Sequence, residues 1–318
     1  MGGDCALPGI TGSWVRGAVG TGEGHGGGVT VAGGDDGGPT ALRIMLGGHL
    51  RRMREAAGIS RADAGWQIRA SESKVSRMEL GRVGFKERDV NDLLKLYGLK
   101  DDRERDRLME LARAANNPGW WSRYGDVMPA WFSNYVGLEV AAKLIRTYEV
   151  LFVPGLLQTE PYARAVVQLG KSYLPTEEID QRVDLRVTRQ QILTRANPVK
   201  LWVVIDESVL HRPIGGREAM CEQIEHLMKM ARLPNITLQV MPFSSVGYPS
   251  AGGAFSVLRF PEGDLPDVVY IEHAASALYL DKIEDLDEYA AIMDALSISA
   301  APLGETQNIL RDALDKMA

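Results

Sequence analysis

Three features of the sequence predict an all-α amino-terminal domain plus an α+β carboxyl-terminal domain, a small sheet flanked by helices. From residue 40 to 115, apolar residues recur at the three- and four-residue spacing of helix after helix. Beyond residue 135, four short β-rich runs alternate with longer helical patterns. Charge divides the chain in the same way: residues 41–88 hold 11 Lys/Arg against 5 Asp/Glu, a net of +6, inside a protein of net charge −6. A small basic module on an acidic body is the asymmetry of a nucleic-acid binder whose contact is confined to one face.

Composition narrows the setting. Hydrophobic residues make up 45% and charged residues 25%, the balance of a globular protein with cores for two domains. No stretch reaches the roughly 18 uninterrupted apolar residues of a membrane helix, and the start shows no secretory pattern. Cys5 and Cys221 are far apart with no partner spacing, which argues against a disulfide framework. The expectation is a cytoplasmic, nucleoid-associated protein with no membrane contact.

The leader, residues 1–39, comes first. Residues 1–38 hold 15 of the 34 glycines and no core-forming pattern, which predicts disorder. A G-x-G-x-x-G match at Gly22, Gly24 and Gly27 has no strand before it and no helix after it, so it does not read as a nucleotide site. The helical domain spans 40–115. Leu46, Leu50 and Met53 lie on one face of its first helix, which Gly58 stops. Ser60 with Asp63 suits a capping box opening a second helix, and after a tight Arg69-Ala70 connection Ser71 caps a third over 72–80, ended by Gly81. A fourth helix near 87–97 and a fifth near 101–115 are split by Gly98.

Asn116-Asn117-Pro118-Gly119 breaks the pattern and opens an aromatic-rich linker, 116–134, expected to fold onto the second domain. Its rings suit interface packing or stacking on a ligand. In the second domain, 135–318, strands are predicted at 201–205, 236–241, 254–260 and 268–272. Helices are predicted at 159–169, 176–195, 216–232, 284–297 and 305–316. The turn Pro154–Gln158 either redirects the chain or grips a ligand.

The segments LGGHLRRMREAAGIS (46–60), RADAGWQIRASESKVSRMELG (61–81) and DLLKLYGL (92–99) resemble the Xre/Cro family of helix-turn-helix domains. Ala64, Ile68, Val75 and Met78 are spaced to lock two short helices across a turn, with Gly65 small where they approach. The resemblance implies double-stranded DNA as partner, with the third helix in the major groove. It leaves Glu72, Ser73, Lys74, Ser76 and Arg77 facing outward. Arg77 is the candidate for bidentate guanine reading, and Lys74 or Ser71 for a phosphate. Arg61 matches a position near the DNA backbone or a base edge, and Glu79 matches a glutamate near the end of the recognition helix. The sequence departs from the family twice. Arg69 replaces the usual turn glycine, and Trp66 stands where an exposed polar residue is usual, with packing on a neighbour as its other use.

The second domain, on YVGLEVAAKLIRTYEVLFVPGLLQTEPYARAV (135–166), VVIDESVLHRPIGG (203–216), LPNITLQVMPF (233–243) and GGAFSVLRFP (252–261), resembles the carboxyl-terminal domain of an actinobacterial regulator family, the WhiJ-like regulators. The resemblance implies an antitoxin-like regulator with a small partner protein encoded nearby. Two-fold operators add the expectation of a homodimer held largely by the second domain, against a monomer beside its partner. An enzyme with a hydrolytic site around Asp206, Glu207 and His211 is the alternative from another class, with capping as the simpler role for Asp206-Glu207. Glu222 and His226 lie one helical turn apart, yet spacing identifies no third metal ligand, so neither metal nor cofactor is expected.

Overall fold

The computed structural model describes residues 39–170, 173–245, 253–261 and 266–317. The glycine-rich leader and its Gly22, Gly24 and Gly27 motif lie outside the described residues. The basic region forms five helices, α1 (Pro39–Ala56), α2 (Arg61–Gln67), α3 (Glu72–Glu79), α4 (Glu87–Leu96) and α5 (Asp102–Asn116). Gly58 ends α1 with φ +68°, the left-handed geometry that closes a helix cheaply only at glycine. Leu46, Leu50, Ala64, Ile68, Val75 and Met78 are all buried in one core with Val90, Leu93 and Leu94 of α4.

The aromatic segment is less of a linker than its composition predicts. Trp120–Tyr124 forms a 3-10 turn, and α6 (Ala130–Ala141) starts before residue 135. Trp121 and Tyr124 are buried with Val127, Met128 and Val136, which answers the question left open by their sequence in favour of packing. Helix α6 also packs on α1. Gly137 makes that approach possible, since a Cβ there would lie 2.2 Å from Thr40 Oγ1.

The second domain is built on a six-stranded mixed sheet. Its strands are β1 (Leu144–Glu149), β2 (Lys200–Asp206), β3 (Ile236–Met241), β4 (Phe255–Arg259), β5 (Val268–Glu272) and β6 (Ala277–Leu280), in the order β3-β2-β1-β4-β5-β6. The pairs β1–β2 and β2–β3 are parallel, while β1–β4, β4–β5 and β5–β6 are antiparallel. Two of the six, β1 and β6, are absent from the sequence prediction. The predicted helix 176–195 ends earlier, as α8 (Thr176–Arg189) followed by a 3-10 turn at Gln190–Leu193.

Alternation along the strands makes two cores. Ile145, Val203, Leu238 and Tyr270 point to the face covered by α6, α7 (Glu160–Gly170), α9 (Arg217–Met230) and α11 (Thr306–Met317). Tyr148, Val204, Met241 and Val269 point to the other, where α10 (Ile283–Ser299) contributes Met293 and Leu296. Polar clamps hold α10 down. Arg146 Nη2 pairs with Asp294 Oδ1 at 2.6 Å while its guanidinium stacks on Trp202. Buried Gln239 donates to the carbonyls of Ser297 and Ala301 and accepts from Trp202 Nε1. The free edge of β3 is closed by Ala301 N–H on Val240 O and Thr306 Oγ1 on Leu238 O.

Candidate nucleic-acid interface

Local chemistry builds the motif. Ser60 caps α2, its Oγ accepting from Asp63 N at 3.1 Å and donating to Asp63 Oδ2 at 2.6 Å. Ser71 caps α3 by accepting from Lys74 N at 3.2 Å. Between them the chain turns at Arg69, which adopts φ +54°. An arginine therefore occupies the left-handed geometry that glycine adopts at least cost. Gly65 lies against the turn, where a Cβ would sit 2.7 Å from Ala70 O.

Helix α3 is fixed from within. Glu79, at its end, is buried between two arginines. Arg54 Nε and Nη2 donate to it at 2.5 and 3.1 Å, and Arg61 Nε at 3.0 Å. Arg54 also donates to Ile59 O at 2.9 Å, tying the end of α1 to the start of α2. The neighbouring Tyr97 hydroxyl is buried with no hydrogen-bond partner among the described residues, and burial pushes its pKa up to about 12, with the Glu79 charge adding to the rise.

The sequence-predicted contact residues then separate. Ser71, Glu72, Ser73 and Arg77 are exposed and Ser76 is half-buried on the outer side of α3, while Val75 and Met78 face the core. Arg77 has no ion-pair partner among the described residues. Lys74 is captured: its Nζ lies 2.7 Å from Oδ2 of Asp89, a buried carboxylate in the first turn of α4. Arg61 is committed to Glu79. The Ser71 hydroxyl accepts from Lys74 N and has its own O–H left to donate.

Sequence reasoning read the turn for its conformation and did not name it as a surface. Trp66, Gln67, Arg69, Ala70 and Ser71 line an open groove beside α3. Trp66 is 82% exposed there and does not pack on a neighbour. Arg82 and Lys86, just beyond α3, are exposed. In the sequence they show as two cations close behind the motif, and exposure is what the fold adds.

The residues of the alternative hydrolytic site have structural partners. Asp206 caps the turn Glu207–His211 by accepting from Ser208 N at 2.9 Å. Glu207 accepts from Phe243 N at 2.8 Å and lies 3.3 Å from His211 Nε2, whose ring stacks on Phe243. His226 Nε2 is buried with no hydrogen-bond partner among the described residues, and burial lowers its pKa. Among the described residues no three His, Cys, Asp or Glu side chains converge as metal ligands, and no helix is long and apolar enough to cross a membrane.

Residues 45–108 match a helix-turn-helix domain. Residues 132–312 match a domain of unknown function, DUF5753, which covers more than half of the chain. No curated protein and no solved structure matches. The buried core of α1 to α5, the two capped helices and the outward α3 thus stand ahead of a sheet domain that has its own family. The chain belongs to the DUF5753 family, with a helix-turn-helix domain before it.

Proposed function

We propose that the protein is a sequence-specific, DNA-binding transcriptional regulator of Xre/Cro type, with a WhiJ-like, antitoxin-like second domain that receives a signal or a small partner protein. The observation that carries this reading is the unpaired Arg77 on the outer side of a helix whose inner side is locked by Val75, Met78 and the Glu79 clamp. A rigid helix presenting a free guanidinium between two serines suits bidentate reading of guanine. Arg69, Ser71, Arg82 and Lys86 supply phosphate contacts around it. Selecting one genomic site needs more base pairs than one such helix reads, so the working form is a homodimer on a two-fold operator in the cytoplasm.

Mapping bound DNA genome-wide and titrating the recovered sequence by gel shift tests the reading. Arg77→Ala is expected to cost about 1–3 kcal/mol at the operator and to relax preference at one base position. Equal affinity for operator and random DNA in the unaltered protein would remove sequence-specific recognition.

A further inference from the structure

The two edges of the second domain's sheet are finished differently. The β3 edge is closed by the chain itself, through Ala301 N–H and Thr306 Oγ1. The β6 edge, Ala277–Leu280, is open. His273 N donates to Ser276 O at 2.8 Å and closes the turn from β5. Along the ladder from that bond, Leu278 faces Ile271 and Leu280 faces Val269 as hydrogen-bonded pairs, while Ala277 and Tyr279 take the positions between. The N–H and C=O groups of Ala277 and Tyr279 therefore point away from β5. None of these four groups has a hydrogen-bond partner among the described residues.

Sheet proteins blunt an exposed edge with a charge, a proline or a bulge, because an open row of donors and acceptors templates another strand. The β6 sequence ALYL has no charge and no proline, and its ladder to β5 is continuous. Its side chains are open as well. Leu280 packs into the core beneath α10, and alternation puts Leu278 on the same face, where it is 48% exposed. Ile283, 72% exposed, opens α10 three residues beyond the strand. The opposite face is pinned, since Tyr279 Oη donates to Trp131 O at 2.5 Å and the Tyr279 ring lies against Tyr270. Strand β6 is thus held in place with its outer edge ready to pair.

We infer that β6 is the contact between two copies of this chain, pairing antiparallel with itself about a two-fold axis and joining two six-stranded sheets into one. With the axis at Leu278, Ala277 of each copy faces Tyr279 of the other, and every open group of both strands is satisfied at once. The same axis sets Leu278 against its own copy at a position between hydrogen-bonded pairs, where Cα atoms approach to about 4.5 Å and side chains meet most closely. Asp281 falls opposite Ala275, so no like charges oppose each other across the strands. A contact that complements itself is what a two-fold dimer requires. Stable interfaces bury about 1,200 Å² or more in total, so Leu278 and Ile283 widen the contact beyond the backbone. The choice of a second copy as occupant rests on the regulator reading, which calls for a two-fold dimer.

Light scattering of the full-length protein without DNA, across micromolar concentrations, tests the inference. Leu278→Lys sets two ammonium groups on the axis, and Ala277→Pro removes an outward N–H while leaving the ladder to β5 intact. Each is expected to raise the dimer dissociation constant about tenfold or more, with the circular dichroism of a folded chain unchanged. In a Cys5→Ser, Cys221→Ser background, Leu278→Cys is expected to cross-link to its own copy on mild oxidation. Leu303→Cys, exposed beside the closed β3 edge, is expected not to. A monomeric unaltered protein, dimers unaffected by both edge variants, or equal cross-linking at Leu303 would each overturn the inference. Gel shifts of the unaltered protein read the DNA function separately. Operator binding by a monomer keeps the regulator and removes this interface, whereas a dimer joined at β6 without sequence preference keeps the interface and removes the regulator.

Discussion

Arg69 holds φ +54° at the turn between α2 and α3, a conformation that costs a side chain about 1 kcal/mol or more relative to glycine. Arg69→Gly is therefore expected to raise stability by about 1 kcal/mol in urea denaturation, while operator affinity falls because a cation leaves the groove edge. A drop in stability would mean that the arginine makes a compensating contact. Lys74 and Arg77 are expected to part company in the same assays. Lys74→Ala leaves the buried Asp89 carboxylate poorly paired and should cost about 1–3 kcal/mol of folding stability. Arg77→Ala should leave the denaturation midpoint unchanged and act on DNA alone. Glu149 adds a pH dependence. Its folded pKa of about 8 lies above the ordinary carboxyl value, so the folded state holds a proton that the unfolded state has lost. Stability should fall as pH rises from the ordinary carboxyl range to about 8 and level off above it. Glu149→Gln should flatten that slope, as thermal melts at stepped pH would show; an unchanged slope would assign it to other groups.

Helices α2 and α3 were legible because everything that makes them is local. Ser60 and Ser71 cap, Gly81 stops, and Val75 and Met78 fall three residues apart on one face. Strand β1 was not legible. Its sequence LIRTYE interrupts an apolar run with Arg146, Thr147 and Glu149, and each polar group is explained only by something distant in the chain. Arg146 reaches Asp294 of α10, Thr147 bonds Ser256 and the carbonyl of Phe255, and burial with the Glu272 charge nearby raises the Glu149 carboxyl. Helix α6 belongs to both domains, and its fit to α1 depends on the absence of a side chain at Gly137. Gly137→Ala is expected to destabilise by about 1–3 kcal/mol, with Thr40→Gly in the same background recovering much of the loss. Additive losses in the double variant would show that the two positions do not meet.

Considered as a whole, the molecule is a net −6 chain that concentrates positive charge on 41–88. Two basic modules repel one another, which leaves the larger acidic domain as the better surface for self-association. Light scattering of the full-length protein is expected to give the mass of a dimer at micromolar concentration, and footprinting two half-sites about one helical turn apart or a multiple of it. A monomer protecting a single half-site would overturn the dimer.

What the sequence determined by itself was the order and type of the helices in the basic module, the motif that presents Arg77, and the division into basic module and α+β body. Those depend on spacing, caps and turn residues within a few positions of one another, which a linear reading contains in full. Tertiary structure decided which of the outward residues are free. Lys74 is taken by Asp89, 15 residues away, and Glu79 is buried by Arg54, 25 residues away. It also decided that Arg146 of β1 meets Asp294 of α10 and that α6 packs on α1. Such partners meet only when the sheet register and the helix packing are set, because a charge's neighbours in space, not in sequence, fix its solvation and its role.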